Sequence, residues 1–166
     1  EALAALAAQT KVVASSAGPF ALYGCALVAA CVEHGTHYCD ITGETPWVRE
    51  MIDRHHVQAA ESGTRIVPCC GFDSVPSDIG ALLVASAVRR ASGQACVRIR
   101  ACHSIRGGLN GGTLASLLNI AEAGALDQLA DPFLLNPEDT LPVDRRPHAD
   151  PLALRHDSDF QAWLAP

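Results

Sequence analysis

Short apolar runs alternate with helical segments along this chain, and the connections between them are short. A helical start around Leu3 and Leu6 leads into an apolar run over residues 11–15, which Gly18 and Pro19 break. Residues 24–33 are almost continuously apolar and stop at Gly35, a natural position just past a helix end. Residues 36–41 (THYCDI) read as a second strand. Thr45 and Pro46 then suit the start of a helix that stops at Gly63, with Trp47, Met51 and Val57 as its apolar stripe. Residues 64–70 (TRIVPCC) read as a third strand with an irregular end at Pro68. Ser77 suits the cap of a helix over residues 78–91, ended by Gly93. Val97, Ile99 and Ala101 alternate with Arg98 and Arg100, which predicts a fourth strand over residues 95–103. Thr113 suits the cap of a helix to residue 123, closed by Gly124, and residues 157–164 suggest one more helical start.

Strict alternation with short links predicts an α/β fold, a parallel sheet with helices on both faces. The character changes late in the chain. Five of the ten prolines lie between residues 132 and 151, among Asp, Arg and Asn, which marks a surface excursion.

Charge and cysteine usage exclude several classes. Among the 166 residues, 18 acidic side chains face 12 basic ones, and no Lys/Arg block exists, so a nucleic-acid surface is not expected. The longest apolar stretch, residues 25–32, is far short of the roughly 20 residues needed for a membrane span. The seven cysteines are odd in number, form no CxxC pair and sit in apolar or alternating stretches, which suits small buried hydrophobes in a reducing cytoplasm. Cys31, His34 and His37 have a superficial metal spacing, but no fourth ligand is evident, so no metal site is expected.

In parallel α/β sheets, ligands bind beyond the carboxyl ends of the strands. After the first strand come Ser15, Ser16, Gly18 and Pro19, which can face a ligand or form an ordinary turn. After the second, Asp40 and Glu44 flank Gly43. They can serve as an acid and a base, but satisfying turn amides and a helix start is the simpler role. After the third comes the densest polar cluster, GFDSVPSD at residues 71–78, in which Asp73 and Ser74 precede Pro76 and are free to face a ligand. It is not a nucleophile elbow of the GxSxG type. GGLNGGT at residues 107–113 can wrap an anion or serve as a connector, and it is not a P-loop.

Taken in order, GPFALYG (residues 18–24), the run ACVEHGTHYCDITGE (30–44), GFDSVPSD (71–78) and GGLNGGT resemble the saccharopine dehydrogenase-like oxidoreductases, in particular the branch that includes bacterial trans-acting enoyl reductases. The resemblance covers roughly residues 3–124. It implies a partial Rossmann-type domain over residues 1–92 that binds NADP or NAD, followed over residues 93–166 by the start of an α+β domain that completes a substrate site, with the proline-rich excursion at 131–151. It places Ser15, Ser16, Gly18 and Pro19 near the nicotinamide end of the cofactor, and Asp73, Ser74 and Pro76 at the substrate cleft. Asp73 and Tyr23 are the residues to test for catalysis. No GxGxxG occurs in the chain, so the resemblance puts the pyrophosphate grip upstream of residue 1. Weak or absent cofactor binding by this chain alone follows.

The expected function is that of a partial NAD(P)-dependent oxidoreductase acting on a small-molecule or lipid-linked substrate. The alternative is a non-catalytic fragment or scaffold. Half a sheet leaves unpaired strand amides, which also suits a homo-oligomer formed through an exposed sheet edge.

Overall fold

The computed structural model describes residues 1–101, 103, 107–108, 111–129, 131–141 and 155–164. Within these, α1 (Ala2–Gln9), β1 (Val12–Ser15), α2 (Phe20–Tyr23), α3 (Cys25–His34), β2 (His37–Asp40), α4 (Thr45–Ser62), β3 (Ile66–Val67) and α5 (Val75–Ser92) follow in strict order. The strands form one parallel sheet in the order β1-β2-β3. Its register sets Val13 beside Tyr38 and Ser15 beside Asp40, then Tyr38 beside Ile66. The predicted α/β class with a parallel sheet is thus found.

The core is built where helix and strand periodicities meet. In α3, Val28, Cys31 and Val32 lie on one face and are buried. In α4, Trp47, Val48, Met51 and Ala59 are buried. Val13, Phe20, Tyr38 and Ala7 complete the cluster. Each large apolar side chain so buried stabilises the fold by about 1.5–3 kcal/mol. Val57, expected in the α4 stripe, is 69% exposed. It lies six residues past Met51, a rotation of about 240° around the helix, and so points away from the core.

Local chemistry fixes the ends. Gly35 and Gly63 close α3 and α4 with φ of 66° and 70°. The Thr36 hydroxyl donates to the carbonyls of Ala7 and Thr10, tying the end of α1 to the entry of β2. Gly24 is needed for its size rather than its φ of −81°. A Cβ there would meet Trp47 at 2.6 Å and the Phe20 carbonyl at 2.8 Å.

Several elements differ from the sequence expectation. The α4 cap is Glu44, one residue before Thr45. Helix α5 starts at Val75 with Ser74 at its cap, so Pro76 falls in the first turn, where its missing N–H costs nothing, and Ser77 lies inside the helix. The third strand is only Ile66–Val67, because Pro68 cannot continue the ladder.

The fourth strand is not formed at residues 95–101, the part of the expected segment that is described together. Val97 is 97% exposed there, and no ladder accepts the alternating pattern. Arg100 instead pairs with Asp157 and Asp159 and lies over the Phe160 ring.

Further along are α6 (Gly111–Glu122), α7 (Leu126–Leu129), a 3-10 turn (Glu138–Thr140), and strands β4 (Arg155–Asp157) and β5 (Ala162–Leu164). The last two form an antiparallel hairpin where a helix was expected. Gln161 reverses the chain at φ 50°, and the His156 and Trp163 rings meet edge-on at 5.6 Å. About half of the proline-rich excursion, residues 142–151, lies outside the described residues, as do Cys102, Ser104, Leu109 and Asn110.

Candidate functional site

The carboxyl ends of β1 and β2 open into a cleft of about 370 Å³. Ser16, Gly18 and Phe20 come from the turn after β1. Ile41, Thr42, Gly43 and Glu44 come from the turn after β2, and Asp73 from the turn after β3. Helix α6 covers the cleft with Gly112, Thr113, Ser116, Leu117 and Ile120. Those positions recur at helical spacing and so present one face.

Two buried carboxylates organise the floor, in different ways. Asp40 is 2% exposed. One of its oxygens accepts the amides of Thr42 and Cys69, each at 3.0 Å, and the other accepts the Tyr38 hydroxyl at 2.9 Å. Tyr38 and Asp40 are two residues apart on a strand and therefore share a face. Asp40 thus clamps the end of β2 to the turn after β3, and its own carbonyl accepts the Cys70 amide at 2.7 Å. Burial, then the Asp40 charge, pushes the Tyr38 hydroxyl well above its ordinary range. Burial, with Asp40 and Asp73 nearby, pushes the Cys69 thiol up to about 11, so it stays protonated and unreactive near neutrality.

Glu44 is also 2% exposed, and it faces the cleft. Its carboxylate accepts the amide of Phe20 at 2.8 Å, the amide of Ala21 at 2.9 Å and the hydroxyl of Ser116 at 2.7 Å. No Lys or Arg lines the cleft among the described residues, so these donors stabilise the buried charge in place of a cation. The two amides are the first of α2, where helix ends leave donors without partners.

The sequence-predicted residues divide. Ser16, Gly18 and Asp73 line the cleft together. Ser15 ends β1, where its hydroxyl accepts the Ala17 amide at 3.4 Å, and it also bonds the Tyr38 side chain. Pro19 precedes α2 through a cis peptide bond and, like Ser15, shapes the turn without lining the cleft. Ser74 and Pro76 start α5 and are also outside the lining. Ser74 donates to Asp73 at 3.5 Å. Tyr23 ends α2, is 65% exposed and does not line the cleft. In the GGLNGGT segment, Gly112 and Thr113 are cleft residues. Ser116 was not visible as a functional residue in the sequence; the spacing of residues 113, 116, 117 and 120 is the signal that points to it.

A sequential parallel sheet with a ligand-sized cleft beyond its carboxyl ends makes a Rossmann-type α/β unit. Comparison with known proteins finds a similarity: residues 1–67 match the family model described as the saccharopine dehydrogenase NADP binding domain. The chain is 43% identical over 142 residues to a Mycobacterium tuberculosis protein that carries the provisional name trans-acting enoyl reductase. That alignment covers 82% of this chain and 34% of the relative. A trans-acting enoyl reductase of Mycobacterium bovis is 38% identical over 145 residues, 86% of this chain and 34% of the relative. One of Mycobacterium leprae is 37% identical over 155 residues, 89% and 37%. The chain spans about a third of the length of these curated relatives. No solved structure matches it.

Proposed function

We propose that this chain forms the nicotinamide side of an NAD(P)-dependent oxidoreductase that transfers hydride to a small-molecule or lipid-linked substrate. The single observation that carries the reading is the cleft at the carboxyl ends of β1 and β2, which gathers Ser16, Gly18 and Asp73. The charge of the cleft suits the nicotinamide end and not the phosphates. Its charged lining residues are Glu44 and Asp73, both acidic, and anionic phosphates would be repelled there. The dinucleotide fingerprint is absent from the sequence, in agreement with a pyrophosphate grip outside this segment. A bound nicotinamide cofactor would supply the hydride. The chain's own part is to seat the ring against the turn after β1, present Asp73 toward the substrate side, and exclude water under α6.

Residues 93–166 would begin the second, substrate-side domain, with Ser74 and Pro76 shaping the approach from α5. NADP is favoured over NAD by the family match. Among the described residues no helix is long and apolar enough to cross a membrane. The outer edges of β1 and β3 carry no partner strand among the described residues, which supports pairing with further chain or a second copy there.

The test is a titration of the chain with NADPH at millimolar concentration, followed by cofactor fluorescence. Ser16 is exposed, so Ser16→Leu fills the cleft without disturbing the core. Saturable binding that Ser16→Leu weakens at least tenfold supports the reading. Binding that is indifferent to this substitution contradicts it.

A further inference from the structure

We propose that helix α6 is a lid over the strand-end cleft and that the hydrogen bond from Ser116 to Glu44 is its latch. Glycines stand at both ends of the helix. Gly107 and Gly108 precede it, Gly111 begins it and Gly124 follows it, and a Cβ at any of these would meet nothing within 4 Å. They are therefore not there to admit a close neighbour. Gly107 at φ +152° and Gly124 at φ +68° hold conformations that other residues avoid, so the backbone can turn at either end of α6.

The grip of α6 on the rest of the chain is light. Ile120 is its one buried residue among those described, while Leu114, Leu117 and Leu118 are each about half exposed. An element with so little buried apolar surface belongs to the low-stability end of a fold. The bond from Ser116 to Glu44 spans 72 residues and joins α6 to the turn after β2.

The chemistry of Glu44 suits a latch. Two of its three donors, the Phe20 and Ala21 amides, are fixed in α2 and stay bonded whether or not Ser116 is present. Release of Ser116 frees one lone pair, which water entering from the opened cleft can fill. Release of Ser116 therefore costs one charge-assisted hydrogen bond and leaves no orphaned charge. Once open, the cleft loses the wall made by Gly112, Thr113, Ser116, Leu117 and Ile120. A ligand that touches this wall holds the lid shut. The lid does not depend on which ligand the cleft takes, so its test stands apart from the cofactor titration.

Amide hydrogen exchange on the intact chain reads the latch directly. Ser116 is half-buried on a helix, and Ala is the best helix former, so Ser116→Ala keeps the fold. The expected result is exchange in α6 faster by about tenfold to a hundredfold, the range set by one charge-assisted hydrogen bond. Exchange in β1, β2 and α3 stays unchanged, and the Phe20 and Ala21 amides stay protected. Ser116→Thr, which restores the hydroxyl, returns α6 to its original protection. Unchanged α6 exchange in Ser116→Ala overturns the latch. Faster exchange in α6 and the sheet alike also overturns it, since that reports a loss of global stability.

Discussion

The Glu44 carboxylate accepts the Phe20 amide at 2.8 Å, so a buried charge at the start of α4 completes the first turn of α2, 24 residues earlier in the chain. The same carboxylate takes the Ala21 amide and the Ser116 hydroxyl, and it therefore sets the position of the turn that carries Gly18 and Pro19.

Glu44→Ala leaves the Phe20 and Ala21 amides without their acceptor in a buried setting. The expected cost is about 2–3 kcal/mol, read from the urea unfolding midpoint. Glu44→Gln keeps one acceptor oxygen and should lose less than the alanine variant. Equal stability of Glu44→Ala and the parent chain would remove the carboxylate from its organising role.

Gly24→Ala tests the contact between the α2–α3 junction and α4. The added methyl would overlap Trp47 and the Phe20 carbonyl, so one helix must shift. Overpacking of this kind costs about 1–3 kcal/mol, although alanine favours the helix more than glycine does. A Gly24→Ala chain more stable than the parent would show that this junction yields easily.

How much of this was legible in the sequence follows from the range of each signal. The helix stops at Gly35, Gly63 and Gly93 were legible because a glycine at positive φ is a local requirement. The gathering of Ser16, Gly18 and Asp73 around one cleft was legible because the segments after parallel strands meet at the same end of the sheet. The strand expected around Val97 was not found, because alternation signals only a half-buried strand and cannot supply a ladder partner. The hairpin at residues 155–164 was read as a helix start, since its cause lies in the reversed backbone at Gln161 and the pairing of Asp157 with Arg100, 57 residues away. Glu44 was read as a residue near a helix start, and it is the cap of α4. Its partners at Phe20 and Ser116 are set by the tertiary fold and leave no mark in nearby sequence.

Stability should fall at alkaline pH. The Cys69 thiol has its protonation range raised from 9.0 to about 11 by burial and by the charges of Asp40 and Asp73. A group raised on folding contributes fully below its unfolded value and loses that contribution as pH rises through the folded one. The loss from Cys69 is therefore expected between about pH 9 and 11, and Tyr38, also raised, extends it upward. Denaturation midpoints measured across this window should decline, and Cys69→Ala should flatten the lower part of the decline. An identical pH profile for Cys69→Ala would place the cause elsewhere.

The hairpin should loosen in acid. Burial alone would raise the Asp157 carboxyl, but the amides of Phe160 and Asp159 and the Arg100 guanidinium outweigh it and hold the group below 3.8. A carboxyl depressed on folding contributes above its unfolded value and loses that contribution as pH falls through the folded one. Fluorescence of Trp163 in a Trp47→Phe background should shift below about pH 3.8. Arg100→Gln should move that shift to higher pH. An unmoved midpoint would show that Arg100 does not hold the hairpin.

Backbone amide chemical shifts of the chain titrated with NADPH test the central claim most directly, because they detect weak binding and locate it. The account predicts perturbations that gather at Ser16, Gly18, Gly43, Glu44 and Ser116, around the ends of β1 and β2. Perturbations that gather instead along α5 or the outer edge of β3 would contradict it.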